Sequence, residues 1–331
     1  MVRTLDTARK AAIRQRGKFK MGYIFGPVPS RRLGRSLGID LVPFKTCTYD
    51  CIYCQLGRTT CKTLRRKEWF PLQEIVDQLR EKISSRPDYI TLAGSGEPTL
   101  YSRMGELIEE IRSMTDIPVA VLTNGSLLWQ EDVRKELREA HLVVPSLDAG
   151  NQRMFHAVNR PHPDISFERM LQGLIALKQE YRGQFWLEIF MLGGHTAIFR
   201  EAQEISRCVR LIKPDRVQLN TVTRPPAEDY ASGVARPCLE KLADLFVPRA
   251  DIIADYREIH EAAEFTVARD TVLQTIERRP CTIEDIAGGL GIHPNEAVKH
   301  VGELLACKLI EQLPPVNGKV FFRVPPGTRD F

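Results

Sequence analysis

Cys47-Thr48-Tyr49-Asp50-Cys51-Ile52-Tyr53-Cys54-Gln55-Leu56-Gly57 places three cysteines within eight residues, spaced C-x3-C-x2-C. Thiolates at that spacing can fold around one small inorganic centre. A [4Fe–4S] cube has four irons and usually takes four cysteines, so three ligands leave one iron with an open position, as a reactive centre requires. The rival readings are a structural zinc site and three unrelated thiols. Zinc sites usually draw on two separated ligand pairs, and no second pair lies in range. The other cysteines, Cys61, Cys208, Cys238, Cys281 and Cys307, are scattered, with Cys281 and Cys307 expected in helical core positions. The histidines form no paired motif.

Working outward, Gly22 to Ser36 is rich in Gly, Pro and Arg and reads as a loop feeding a first strand, Leu37 to Val42. The cysteine loop therefore sits beyond the carboxyl end of that strand. Strands and helices then alternate: strands near 89–93, 118–123, 142–147, 185–192 and 216–220, with helical stripes such as Leu72, Ile75, Val76, Leu79 and Ile83 between them. Six strand-then-helix units predict a parallel sheet with right-handed crossovers and function gathered at the carboxyl ends of its strands. Six units are too few for a closed eightfold barrel, and the pattern alone also permits an open doubly wound sheet.

Polar residues mark those strand ends. Gly94-Ser95-Gly96-Glu97-Pro98 follows the second strand; its glycines would let backbone approach a ligand, and its carboxylate could hold an ammonium group, although the same pentapeptide also makes a plain turn. Asn124 ends the third strand, Ser146 and Asp148 the fourth, and Glu188 lies in the fifth ahead of Gly193-Gly194-His195. Each could equally be a cap or turn residue.

The spacing C-x3-C-x-(aromatic)-C, with Tyr53 as the aromatic, resembles the signature of the radical S-adenosylmethionine (radical SAM) enzymes. The resemblance implies a partial (β/α)6 TIM-like barrel, an α/β fold, with Cys47, Cys51 and Cys54 holding a [4Fe–4S] cluster. The open iron would chelate SAM, and one electron from an external reductant, a flavodoxin or ferredoxin, would release a 5′-deoxyadenosyl radical. Gly94, Ser95, Gly96 and Glu97 resemble the family's G-G-E-P motif, which seats the SAM amino group, with Ser95 in place of the second glycine. By the same resemblance, backbone near Tyr53 meets the adenine, and Ser146, Asp148 and Glu188 lie where ribose and carboxylate contacts are made; Asn124, at the third strand end, is a further candidate for binding the cofactor. Residues 22–247 look most like the wyosine-synthase-related branch, through GPVPSRRLGRS, the cysteine loop, GSGEPTL, Ser146-Leu147-Asp148-Ala149 and Asn159-Arg160-Pro161. True wyosine synthases carry further upstream cysteines, and Cys47 is the first cysteine here.

Residues 1–20 hold seven Lys/Arg against one Asp, or +6, so the chain's net +5 leaves −1 for the remainder. This segment is expected to be a flexible basic tail, with the barrel at 21–248 and a linker at 249–267. A second basic concentration surrounds the cysteine loop, including Arg31, Arg32 and Arg35, and Arg160 joins it. It suits an anionic substrate, with RNA as a candidate, or is simply a solvated face. From 268 to 325 the pattern changes to three helical stripes and a hairpin with Asn317-Gly318 at its tip, resembling a winged helix-turn-helix domain. Residues 268–331 carry eight Lys/Arg and eight Asp/Glu, a neutral balance that argues against strong duplex binding and leaves a peptide or protein partner open. A non-enzymatic iron–sulfur sensor of transcription is the reading from a different class. No run of about 18 apolar residues or apolar leader is present, so the expectation is a cytoplasmic protein without a membrane partner. The reacting group and the bond changed are not legible.

Overall fold

The computed structural model describes residues 22–30, 32–254, 269–290, 292, 294–316 and 318–325. The expected basic tail, most of the expected linker, Arg31 and Asn317 lie outside the described residues.

The sheet is built from short apolar strands. Strands β1 (Ile24–Ser30), β2 (Gly34–Ile39), β5 (Tyr89–Leu92), β6 (Val119–Thr123), β7 (Leu142–Pro145), β8 (Gln184–Met191), β9 (Arg216–Thr221) and β10 (Asp251–Ile252) follow one another in that spatial order. All pairs from β2 to β10 are parallel, while β1 runs antiparallel to β2. β7 is buried at all four positions, as expected where helices cover a parallel sheet. The sheet ends at β1 on one side and β10 on the other, so it is an open α/β arc. Two short pieces, β3 (Thr46–Cys47) and β4 (Cys61–Lys62), pair beside it.

Helices α1 (Leu72–Lys82), α2 (Met104–Met114), α3 (Glu131–Glu136), α4 (Gln152–Asn159), α5 (Phe167–Glu180), α6 (Phe199–Ile212) and α7 (Arg236–Ala243) fill the connections. The stripe Leu72, Ile75, Val76 and Leu79 is buried on α1, as its spacing predicts. Ser166 and Asn151 cap α5 and α4 by accepting the amides of Arg169 and Met154.

Two expectations need correcting here. The stretch 24–30, expected as loop, is the edge strand β1. Pro27 and Pro29 suggested a break, but an edge strand can carry residues that donate no ladder bond. Cys307, expected in core, is exposed: α10 (Pro294–Ala306) ends just before it, and it sits in the following turn.

The C-terminal module comprises α8 (Arg269–Arg278), α9 (Ile283–Leu290), α10 and the ribbon β11 (Glu311–Gln312) and β12 (Phe322–Arg323). Its own core includes Val272, Ile276, Cys281, Ile286, Val301 and Leu304. Thr282 and Asp285 exchange two bonds of 3.0 Å at the start of α9, a capping box with Asp in the usual Glu place. α9 packs against β1, so the module leans on the sheet's first edge.

Candidate active site

A cavity of about 450 Å³ opens at the carboxyl ends of the parallel strands. Cys47, Cys51, Cys54, Tyr53, Gly94, Gly96, Glu97, Asn124, Ser146, Asp148 and Glu188 all line it. Ser95 stands behind the lining, where its amide donates to Asp40 Oδ1 at 2.8 Å and its carbonyl accepts the Lys45 amide at 2.7 Å. Residues spread over 142 positions of sequence thus meet because each strand ends at the same level.

The cysteine loop is stitched to its neighbours by backbone. Asp50 and Ile52 amides donate to the Asn159 and Val158 carbonyls, both at 3.0 Å, and Glu97 donates to the Thr46 carbonyl at 3.0 Å. Gly96 permits that last approach: a Cβ there would lie 1.9 Å from the Thr46 carbonyl oxygen. Each thiol faces a different donor. Lys45 Nζ lies 3.2 Å from Cys54 Sγ, Asn124 Nδ2 3.5 Å from Cys47 Sγ, and Asn159 Nδ2 3.5 Å from Cys51 Sγ. Burial, reinforced by the Glu97 charge, pushes the Cys47 thiol up to about 12, and burial also raises Cys51 well above an ordinary thiol. Such thiols hold their protons until a metal displaces them.

Among the described residues no three His, Cys, Asp or Glu side chains converge as ligands of a single metal ion. A multi-iron cluster makes a different demand, because each thiolate binds its own iron. Three soft sulfurs, each with an N–H or ammonium donor and all facing one cavity, fit such a cluster.

The carboxylates are held by the protein. Glu97, 2% exposed, accepts from Thr99 N at 3.1 Å, Thr99 Oγ1 at 2.6 Å and Thr123 Oγ1 at 2.5 Å on one oxygen. Its other oxygen accepts from Asn124 N at 2.7 Å. Burial raises its pKa, opposed by those bonds. Asp148 accepts the Tyr53 hydroxyl, Asn159 Nδ2 at 2.8 Å and Phe190 N at 3.0 Å, and burial lifts it to about 6. The Tyr53 ring stacks on Phe190 at 4.1 Å. Glu188 pairs with Arg32 at 2.7 Å and accepts from Asn220 Nδ2 at 2.8 Å.

These pairings change the picture of the basic loop. Arg32 lines the cavity but is engaged by Glu188 and by Gln218 at 3.2 Å. Arg160 pairs with Glu228 at 2.6 Å and reaches the Tyr230 hydroxyl at 2.7 Å, outside the cavity lining. The charge count of the sequence could not reveal partners so distant along the chain.

The C-terminal module closes one side. Thr271, Gln274, Thr275 and Arg278 recur at helical spacing on α8 and line the cavity together with Arg279. Arg278 pairs with Asp40, donates to the Gly22 carbonyl at 3.1 Å and lies 3.8 Å over the Phe25 ring. Arg224, three residues beyond β9, pairs with Asp285 of α9 at 3.1 Å and reaches Gln55 at 3.3 Å. None of the α8 residues carried a functional signal in the sequence. Lys45 and Asn159 did so only by standing near the cysteines or in a family-like string.

A family model described as the radical SAM superfamily matches residues 41–209. The chain is 40% identical over 310 residues to a protein named GTPase Obg from Brachyspira hyodysenteriae, covering 92% of this chain and 44% of that one. It is 37% identical over 230 residues to a UPF0026 protein of Methanocaldococcus jannaschii, covering 68% of this chain and 71% of the relative. The chain thus spans less than half the length of the first relative. Among solved structures, Streptococcus suis SuiB bound to S-adenosylmethionine superposes with a TM-score of 0.51 at 14% identity, over 68% of this chain and 53% of that one. At that identity the likeness concerns the fold alone. Among the described residues no helix is long and apolar enough to cross a membrane.

Proposed function

This chain belongs to the radical SAM superfamily, and from that premise we propose that it is an enzyme that binds a [4Fe–4S] cluster through Cys47, Cys51 and Cys54 and seats SAM in the adjoining cavity. The observation that carries this is the convergence of three cluster-type thiols and the Gly94–Glu97 loop on one cavity of about 450 Å³ at the strand ends, a size within the usual ~300–1,000 Å³ of small-molecule sites. When bound, the cluster and SAM together supply reductive cleavage to a 5′-deoxyadenosyl radical, given one electron from a flavodoxin, ferredoxin or similar donor.

The chain's own residues then have defined tasks. Gly94 and Gly96 keep the loop thin, so that backbone rather than side chain meets the SAM amino group. Glu97 holds that loop to Asn124 and, through it, to Cys47. The Tyr53–Phe190 stack, fixed by Asp148, forms an apolar wall suited to a nucleoside. Ser146, Asn124 and Glu188 offer polar edges along the same cavity.

The substrate we favour is anionic, RNA among the candidates. With Arg32 and Arg160 engaged, the guanidinium placed to receive it is Arg279 on the α8 side of the cavity. The wyosine-synthase-related motifs support an RNA substrate without implying that product. The three helices and ribbon of 269–325 support a winged-helix reading of the module. Its neutral charge balance leaves a peptide or protein as a second reading for what docks there.

The test is anaerobic reconstitution, with iron and sulfide counted and 5′-deoxyadenosine assayed after SAM and dithionite. Four irons per chain and deoxyadenosine release, both lost in Cys51→Ala, are expected. Zinc in place of iron, or a cluster without SAM cleavage, would overturn the reading.

A further inference from the structure

We propose that Lys45 is the fixed counter-charge of the cluster and raises its reduction potential through Cys54. The inference rests on the reading of the three thiols as cluster ligands.

Lys45 is 3% exposed, an unusual place for an ammonium group. Among the described residues no carboxylate lies within ion-pair distance of it, and its ammonium group donates to Cys54 Sγ at 3.2 Å. An ammonium group held this close to a sulfur lowers the cost of placing negative charge on that sulfur. The backbone is committed as well. Lys45 has φ of 59°, the left-handed region that non-glycine residues rarely adopt. Three bonds hold it there: its amide to the Ser95 carbonyl at 2.7 Å, and its carbonyl to the amides of Thr60 at 3.2 Å and Cys61 at 3.1 Å. A strained conformation this firmly fixed aims the side chain at one sulfur.

The three sulfurs are therefore unequal. Cys47 and Cys51 face neutral amide donors from Asn124 and Asn159, while Cys54 faces a cation. Taking up one electron from an external one-electron donor, with no proton, lowers the charge of the cluster site by one unit. A fixed positive charge next to a ligand sulfur favours that more negative state and so raises the potential. Lys45 is in this sense a positioning residue for charge, and the ordinary activity assay cannot separate that role from folding.

The experiment compares full-length wild type, Lys45→Arg and Lys45→Gln after anaerobic reconstitution. Iron and sulfide are counted, and the reduced fraction is followed by electron paramagnetic resonance across a series of poised potentials. Arginine keeps the charge and glutamine removes it, while both carry the same backbone demand at φ above zero. The expected result is iron content and midpoint near wild type for arginine. For glutamine we expect at least a tenfold fall in the reduced-to-oxidised ratio at fixed potential, a shift of about 59 mV to the negative for one electron. Loss of the cluster in glutamine but not arginine would also support the charge. Equal behaviour of the two variants, in occupancy and in potential, would overturn the proposal while leaving the cluster reading intact. Wild-type protein that binds no four-iron cluster would overturn both.

Discussion

Replacing Glu97 by glutamine tests whether its carboxylate braces the site. The two oxygens accept from two backbone amides, Thr99 N on Oε1 and Asn124 N on Oε2, and from two hydroxyls on Oε1. Hydroxyls can rotate, but backbone amides cannot. A glutamine has one acceptor oxygen, so either orientation sets its NH2 against a fixed N–H. One buried unsatisfied donor costs about 1–3 kcal/mol, and losing the ionised acceptor weakens the remaining bonds, for a total near 2–4 kcal/mol. At about 2–4 °C per kcal/mol for a domain of this size, the cluster-free protein should melt roughly 4–16 °C lower. Differential scanning calorimetry with and without SAM reads this directly. If Glu97→Gln melted like wild type without ligand and differed only when SAM was added, the carboxylate would be a ligand contact rather than a brace, and the reasoning from its four bonds would fail.

Asp148 gives a pH signature. Its folded pKa, lifted by burial to about 6, exceeds its ordinary value, so it stabilises the fold most in acid and loses that contribution as pH rises through 6. The shift corresponds to at most about 3 kcal/mol; urea unfolding of cluster-free Asp148→Asn should therefore show a flatter stability profile between pH 4 and 6, and an unchanged slope would refute it. Gly96→Ala drives a methyl group into the Thr46 carbonyl, 1.9 Å from its ideal Cβ, so iron bound after reconstitution should fall well below wild type; full occupancy would show that the loop can shift without loss. Arg278→Gln leaves Asp40 buried without its guanidinium, which should loosen the module by about 3–5 kcal/mol and speed hydrogen exchange in α9 and α10, with less added effect when Asp40→Asn is made too. Additive effects would mean the pair does not act as a unit.

Much of this architecture was legible because its signals are local. The cysteine spacing lies within eight residues, and β5, β6 and β7 read as strands because both of their faces are buried. β1 was hidden by Pro27 and Pro29, which break a central strand but not an edge. Contacts set by tertiary structure left no local signal. Nothing in the sequence around Lys45 signals its burial, and Arg32 looked available until Glu188, 156 residues away, was placed beside it. Arg278 and Asp40, 238 residues apart, were unreadable as a pair.

The side of the cavity formed by α8 has a consequence for the whole molecule. Because that surface belongs to a unit with its own core, whatever occupies the space between α8 and the sheet acts as an adhesive between two bodies. Binding in the cavity and docking of the module are then one linked equilibrium: a ligand that touches both must tighten the joint by as much as the joint tightens its own hold on the ligand. The linkage runs outward as well. A macromolecule that grips the far side of the module and prefers it docked or released would sense whether the chamber is filled, with no residue in common between the two surfaces.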